Sequence, residues 1–188
     1  MFDRGFGARL SRPPWLGTLT VVPAAVLVLA GLTATPPAPS VVTVDTARWY
    51  VLVNKNSGQA LEVYSRATGD GARIAQAARH DGVWQQWQFV DSGGGFYRLR
   101  NRGSGKVLDV PGSAKANGTG LVQWSDSNGT DQQFRIEDTG GGYVQLINRN
   151  SNKAVGVAGS STAGGADVVQ WTDLGEPDQQ WLLLPVHP

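Results

Sequence analysis

The tripeptide Gln132-Gln133-Phe134 has two counterparts in the chain, Gln85-Gln86-Trp87 before it and Gln179-Gln180-Trp181 after it. The three aromatic residues stand 47 residues apart in both intervals. Other landmarks keep the same offset with no insertion: Asn54, Asn101 and Asn148; Ser57, Ser104 and Ser151; Gln76, Gln123 and Gln170. A fixed period of this length, met three times, marks one supersecondary unit used repeatedly, each copy burying its apolar face against the others. The repeat runs from about residue 47 to residue 186, and any fold assigned to this chain has to accommodate it.

Within one unit the pattern is that of short strands. Leu52, Leu99 and Leu146 read as alternating with exposed positions, as half-buried strands require. A turn follows at Asn54 to Gly58, Asn101 to Gly105 and Asn148 to Asn152, ending on the residue types that best tolerate positive φ. A second strand carries Leu61/Val63, Leu108/Val110 and Val155/Val157. Asp70-Gly71, Asn117-Gly118 and Gly164-Gly165 then read as tight hairpin turns with both central residues at positive φ. A third strand holds Ile74, Leu121 and Val168, and a fourth starts at the Gln-x-aromatic motif and continues through Phe89, Ile136 and Leu183. Gly93 to Gly95 and Gly140 to Gly142 read as flexible links between units. No stretch beyond the N-terminal segment has helical periodicity.

Four strands per unit and three units give about twelve strands. A β-propeller usually needs at least four blades. Three units closing on a threefold axis give a β-trefoil, and closure removes exposed sheet edges. The fold class is therefore all-β, with an expected core of Leu52, Leu61, Val63, Ile74, Trp87 and Phe89 and their counterparts in the other two repeats.

Composition narrows the function classes. Lys+Arg 16 against Asp+Glu 15 is near neutrality, which argues against nucleic acid as a partner. Arg98, Arg100 and Arg102 alternate along one strand and read as a solvated face. The sequence has no Cys, so it offers neither a disulfide nor a thiolate metal site. Its only histidines are His80 and His187, so no metal or other cofactor is expected. The acids Asp126, Asp131, Asp173, Glu176 and Asp178 fall in turns of separate repeats, not as a pair flanking a cleaved bond. No Ser-His-Asp set and no phosphate loop is present, so an enzyme is not expected.

The N-terminal segment has a different composition. Arg4, Arg9 and Arg12 precede an uncharged run from Trp15 to Leu32, the pattern of an export signal. Residues 1–35 read as a cleaved signal peptide or, since the run is near the length needed to span, an uncleaved membrane anchor helix. Residues 36–46, with Pro36, Pro37 and Pro39, read as an extended spacer. Under either reading the repeat domain, 47–186, lies outside the membrane, secreted or tethered to the outer face of the cytoplasmic membrane.

Leu108-Asp109-Val110, Val122-Gln123-Trp124 and Asp131-Gln132-Gln133-Phe134 together resemble the ricin B-type lectin repeat, also called the Gln-x-Trp repeat. The resemblance covers all three units. It implies a β-trefoil and carbohydrate binding, often of galactose-, xylan- or arabinan-type sugars. The family usually carries a disulfide in each repeat, and here packing has to serve instead.

The aromatic of the Gln-x-Trp motif reads as core and its Gln as a holder of local backbone. Sugar recognition pairs a carboxylate, which accepts hydroxyl hydrogen bonds, with an aromatic platform for the C–H face. By resemblance the middle repeat has the fullest set: Asp109 as the sugar-binding carboxylate, Trp124 as platform, with Gln123, Asp131 and Gln132 beside them. Asp131 stands where the family usually has Asn. In the third repeat Trp171 and Asp178 remain but Gly156 replaces the carboxylate, and Asp173 is a substitute acid from the next turn. In the first repeat Glu62 keeps a carboxylate but Ala77 replaces the platform, with His80 or Trp84 as substitutes. The expected order of preservation is middle, third, first. A trefoil that has lost sugar binding and acts as a protein-interaction scaffold or inhibitor is the competing expectation.

Overall fold

The computed structural model describes residues 42–186, so the expected signal or anchor helix and most of the spacer lie outside the described residues. The first repeat forms β1 (Trp49–Asn54), β2 (Ala60–Val63), β3 (Ala72–Ala77) and β4 (Gln86–Asp91). The second forms β5 (Phe96–Asn101), β6 (Val107–Asp109), β7 (Thr119–Gly120), β8 (Val122–Trp124) and β9 (Phe134–Gly140). The third forms β10 (Tyr143–Asn148), β11 (Ala154–Val157), β12 (Val168–Trp171) and β13 (Trp181–Pro185). Thirteen strands appear instead of twelve because the third strand of the middle repeat is split at Leu121.

Six strands close a barrel. β1 pairs with β4, β4 with β5, β5 with β9, β9 with β10, β10 with β13, and β13 returns to β1. The remaining strands form three hairpins, β2–β3, β6–β8 and β11–β12, which cap one end and join to one another. At the centre of the cap three equivalent residues link by backbone: Ile74 N–H donates to Leu121 C=O at 3.0 Å, and Leu121 N–H to Val168 C=O at 2.8 Å. This is the β-trefoil that the repeat predicts.

The repeated landmarks explain why the fold recurs. Asn54, Asn101 and Asn148 fold back on the turn after the first strand, each side-chain oxygen accepting from two backbone N–H groups. Their amides cross to the preceding unit and donate to the carbonyls of Asp178, Trp84 and Asp131. Gln86, Gln133 and Gln180 accept from Arg102, Arg149 and Lys55 at 2.7, 2.6 and 2.7 Å. Those same cations lie over the rings of Trp49, Phe96 and Tyr143 at 5.4, 4.5 and 4.8 Å. Each boundary between units is thus fastened by a stacked cation, including the boundary between the third unit and the first.

Most of the expected core is wholly buried, Trp87, Phe134 and Trp181 among it. The Trp87 and Trp181 indoles donate to the carbonyls of Leu61 and Val155 at 3.0 and 2.9 Å, a bond Phe134 cannot make. Ile136 and Leu183, expected in the core, are only partly buried. Their counterpart Phe89 is enclosed edge-to-face by Tyr50 and Tyr97, with centroids 5.5 and 5.9 Å away. Val144 stands where those tyrosines would repeat. The barrel mouth is left open there as a cleft of about 380 Å³ bordered by Val144, Leu183, Tyr50 and Val42 to Val44.

Three further expectations are corrected. Val63 pairs with Ile74, so residues 64–73 form a long connection and not a two-residue hairpin, and only Gly71, Gly118 and Gly165 of the expected turn dipeptides have positive φ. Gly93 to Gly95 and Gly140 to Gly142 are tight turns joining β4 to β5 and β9 to β10. The arginine row is partnered: Arg98 is largely buried with Asp126 and Asn128, Arg100 lies 3.7 Å from Asp126, and Arg102 is the pin described above. Single 3₁₀ turns, two per repeat, carry the chain across the cap; the sequence had given no sign of them. Among the described residues no helix is long and apolar enough to cross a membrane.

Candidate functional site

In the middle repeat β6 ends at Asp109 and its antiparallel neighbour β8 ends at Trp124, with Val107 opposite Trp124 and Asp109 opposite Val122. Two one-turn segments, Pro111–Ser113 and Thr130–Gln132, rise on either side. Together they leave an open cleft of about 320 Å³ lined by Asp109, Gly112, Trp124, Ser125, Ser127, Asp131 and Gln132.

Gln132 organises this cleft. It is buried, and its amide donates to Asp109 Oδ2 at 2.9 Å and to the Ser125 carbonyl at 3.0 Å. Its oxygen accepts from the Ser127 N–H and hydroxyl at 2.9 and 3.0 Å. Both hydrogens and the oxygen are engaged, so Gln132 positions the carboxylate and has no group left for a ligand. Asp109 is only 5 % exposed, and its other oxygen has no partner among the described residues. Burial pushes its carboxyl above the ordinary carboxylate range; the Gln132 bond opposes this, and the Asp131 and Asp70 charges add to it.

Trp124 is 44 % exposed, which is unusual for so large an apolar side chain in a molecule that buries Trp87 and Trp181 completely. Its ring lies across Gly71 of the first repeat, 3.5 Å from where a Cβ would stand. Gly71 has φ +78°, so the turn favours glycine, while a Cβ there would make only ordinary contact with the ring. Asp70, next to it, accepts from Lys106 Nζ at 2.6 Å and from Ser125 N–H at 2.8 Å, fixing the hairpin beneath the platform. Asp131 accepts from Ser113 Oγ at 2.8 Å across the cleft mouth.

Gln123 does not belong to this constellation. It is wholly buried, and its amide donates to the Ala67 and Gly69 carbonyls while its oxygen accepts from Ser104 at 2.6 Å. Gln76 and Gln170 make the same bonds in their own repeats. The glutamine before the platform is a clamp between units.

The third repeat repeats the geometry with a change of acid. Trp171 is 43 % exposed and lies over Gly118, 3.4 Å from the Cβ position. The cleft, about 230 Å³, is lined by Gly156, Val169, Trp171, Leu174, Glu176, Asp178 and Gln179. A Cβ on Gly156 would meet Asp178 Oδ2 at 3.3 Å, so Asp178 leans over the space that the missing side chain leaves. Asp173 is turned away, accepting from Gln145 at 2.5 Å and Gly175 N–H at 3.0 Å. It is not the substitute acid.

The first repeat is filled. Glu62 Oε2 accepts from Gln85 at 2.7 Å and lies 2.9 Å from His80 Nε2. His80 Nδ1 accepts from the Gly82 N–H at 3.0 Å, so the ring hydrogen sits on Nε2 and points at Glu62. The place over Gly165 that a platform would take is occupied by Tyr64, 3.7 Å from its Cβ position, with Arg73 stacked at 3.9 Å and bound to Asp167. Trp84 packs on Gly103 and against the core, as structure and not as platform. Among the described residues no cluster of His, Cys, Asp or Glu could hold a metal ion.

The family model described as "Ricin-type beta-trefoil lectin domain-like" matches residues 41–124 and 130–187. The chain belongs to this family. Among solved structures, a designed threefold-symmetric protein, ThreeFoil, is 43% identical with a TM-score of 0.72, over 73% of this chain and 99% of that one. An exo-β-1,3-galactanase from Clostridium thermocellum is 35% identical with a TM-score of 0.73, over 77% of this lectin-like chain and 31% of the galactanase. The ricin B-like lectin of Macrolepiota procera, in complex with lactose, shares the fold at 23% identity and a TM-score of 0.65, over 76% and 98% of the two chains. No curated protein matches the sequence.

Proposed function

We propose that this is an exported, non-catalytic carbohydrate-binding trefoil whose principal site is the middle-repeat cleft, with a second site in the third repeat. The observation that carries the reading is the half-exposed Trp124 beside the buried, glutamine-held Asp109. Asp109 offers its free oxygen to sugar hydroxyls, and Trp124 takes the apolar C–H face. The carboxylate is already desolvated and oriented, so little ordering is lost on binding. Asp131 and Ser127 border the mouth and suit water-mediated contacts. Galactose-type sugars are the first class to try, since one neighbour is a galactanase and another holds lactose; xylan- and arabinan-type polymers come next. Two linked weak sites raise retention on a polymer by about 10²–10⁴ over a single site. For the N-terminal segment the basic and apolar pattern supports export, with cleavage and anchoring distinguished by the mass of the mature protein.

Immobilised polysaccharide panels test the reading, run with the protein, Asp109→Ala and Trp171→Ala. Retention of the parent on one polymer, strongly reduced in Asp109→Ala and mildly in Trp171→Ala, is the expected outcome. Equal retention of all three overturns the site assignment. A protein that is folded and held by no polymer favours the interaction-scaffold reading, to which the filled first repeat lends some support.

A further inference from the structure

The third-repeat cleft differs from the middle one in volume, in its acids and in hydrogen-bond demand. Resting on the reading above that it binds sugar, we propose that it selects an amino sugar with a free, protonated amine, and not a neutral hexose.

Three groups converge there. Asp178 and Glu176 both line the cleft, and neither carboxylate has a hydrogen bond or ion pair among the described residues. In the middle cleft Asp131, the equivalent of Asp178, already accepts from the Ser113 hydroxyl, Gly129 stands at the position of Glu176, and Asp126 is paired with Arg98. Gln179 is the second feature. Its equivalents Gln85 and Gln132 each give one amide hydrogen to a strand carboxylate, Glu62 or Asp109. Gln179 faces Gly156 instead, and its amide has one partner, the Thr172 carbonyl at 2.8 Å. The second hydrogen belongs to a side chain only 2 % exposed that borders the cleft, so it calls for an acceptor. The third group is Trp171, whose half-exposed face, with the apolar Val169 beside it, favours both C–H bonds and a cation.

A 2-amino sugar meets all three demands at once. Its ammonium donates to Asp178 and Glu176, the neighbouring hydroxyl accepts from Gln179, and the ring face lies on Trp171. A neutral hexose leaves both carboxylates without a counter-charge, and an N-acetylated sugar presents an amide N–H where charge is wanted. The protein as a whole carries a formal net charge of +1, so no general acidic field gathers cationic polymers and any preference has to come from the cleft.

The test is binding of glucosamine oligosaccharides against their fully N-acetylated counterparts at pH 6, with the galactose-type polymer as a parallel ligand. The full chain is compared with Glu176→Gln/Asp178→Asn and with Asp109→Ala. The expected result is a preference of about tenfold for the free amine, lost in the double variant, kept in Asp109→Ala and weakened by salt. A preference that survives in the double variant overturns the inference. So does a parent that holds the galactose-type polymer but shows no preference, and in that case the carbohydrate-binding reading stands. A parent that holds none of the sugars overturns both.

Discussion

Replacing Asp109 by Asn separates binding from folding at the principal site. The buried carboxyl has its affinity for protons raised by desolvation, with the Asp131 and Asp70 charges adding to the rise, so the ionised form is disfavoured in the folded state. A raised folded-state value means that this group favours folding most when protonated, and that the benefit is lost as pH rises through that value. Asparagine removes the charge and still accepts from Gln132, so Asp109→Asn is expected to be at least as stable as the parent at pH 7. The difference should vanish as pH falls below the ordinary aspartate value. Binding moves the other way. The free oxygen of Asp109 becomes an amide that donates where the sugar also donates, and a hydrogen bond to a charged acceptor contributes about 1.5–3 kcal/mol. Affinity of the middle site should drop about tenfold to a hundredfold. Calorimetric titration with the retained sugar, paired with thermal unfolding at pH 7 and pH 3, gives both numbers. Unchanged affinity refutes the site; a loss of both affinity and stability refutes the view that Asp109 is held for function at a cost to the fold.

The same linkage predicts that binding by the parent weakens on acidification at a pH above that of an ordinary aspartate, seen as a falling association constant in a pH series. Gln123→Ala and Trp124→Ala should give opposite profiles. The first strands two carbonyls and the Ser104 hydroxyl, costing at least about 2 kcal/mol of stability; the second leaves unfolding nearly unchanged and strongly reduces retention, both read by denaturant titration and affinity chromatography. Trp181→Phe removes the indole bond to Val155 and some packing, and should lower stability by about 1–3 kcal/mol with the fold intact, as Phe134 already shows that the position accepts the smaller ring.

How much of this was legible in the sequence varies from residue to residue. The repeat offset alone placed the barrel strands, the buried motif aromatics and the equivalence of Trp124 with Trp171. It could not separate Gln123 from Gln132, because both are conformationally similar, buried amides; one faces the neighbouring unit and the other the carboxylate, and only strand register decides that. The filling of the first site was hidden for another reason. Tyr64 and Arg73 have no matching residue type 47 positions on, so periodicity gave them no weight, and His80 was read as a substitute platform although it reaches the Glu62 carboxylate in space. The stacked cations at the unit boundaries do keep the offset, but Lys for Arg and three different aromatics obscured them. The opening beside Leu183 comes from one substitution of a tyrosine position by Val144, a difference of bulk that a pattern of apolar residues does not register.

The barrel is closed by its first and last strands: Tyr50 lies opposite Pro185, and the Val186 N–H donates to the Trp49 carbonyl at 2.8 Å. During folding, then, the final stave must find a partner more than two repeats away, and until it does β1 and β10 both present unpaired edges. Bringing such distant segments together makes folding slow among domains of this size. It also works in reverse. Once the ring is shut both β1 and β13 are paired on each side, and opening it means parting a seam held by backbone pairing and by Lys55 on Tyr143 and Gln180. A chain without disulfides can thus resist proteolysis for long periods through the height of its unfolding barrier.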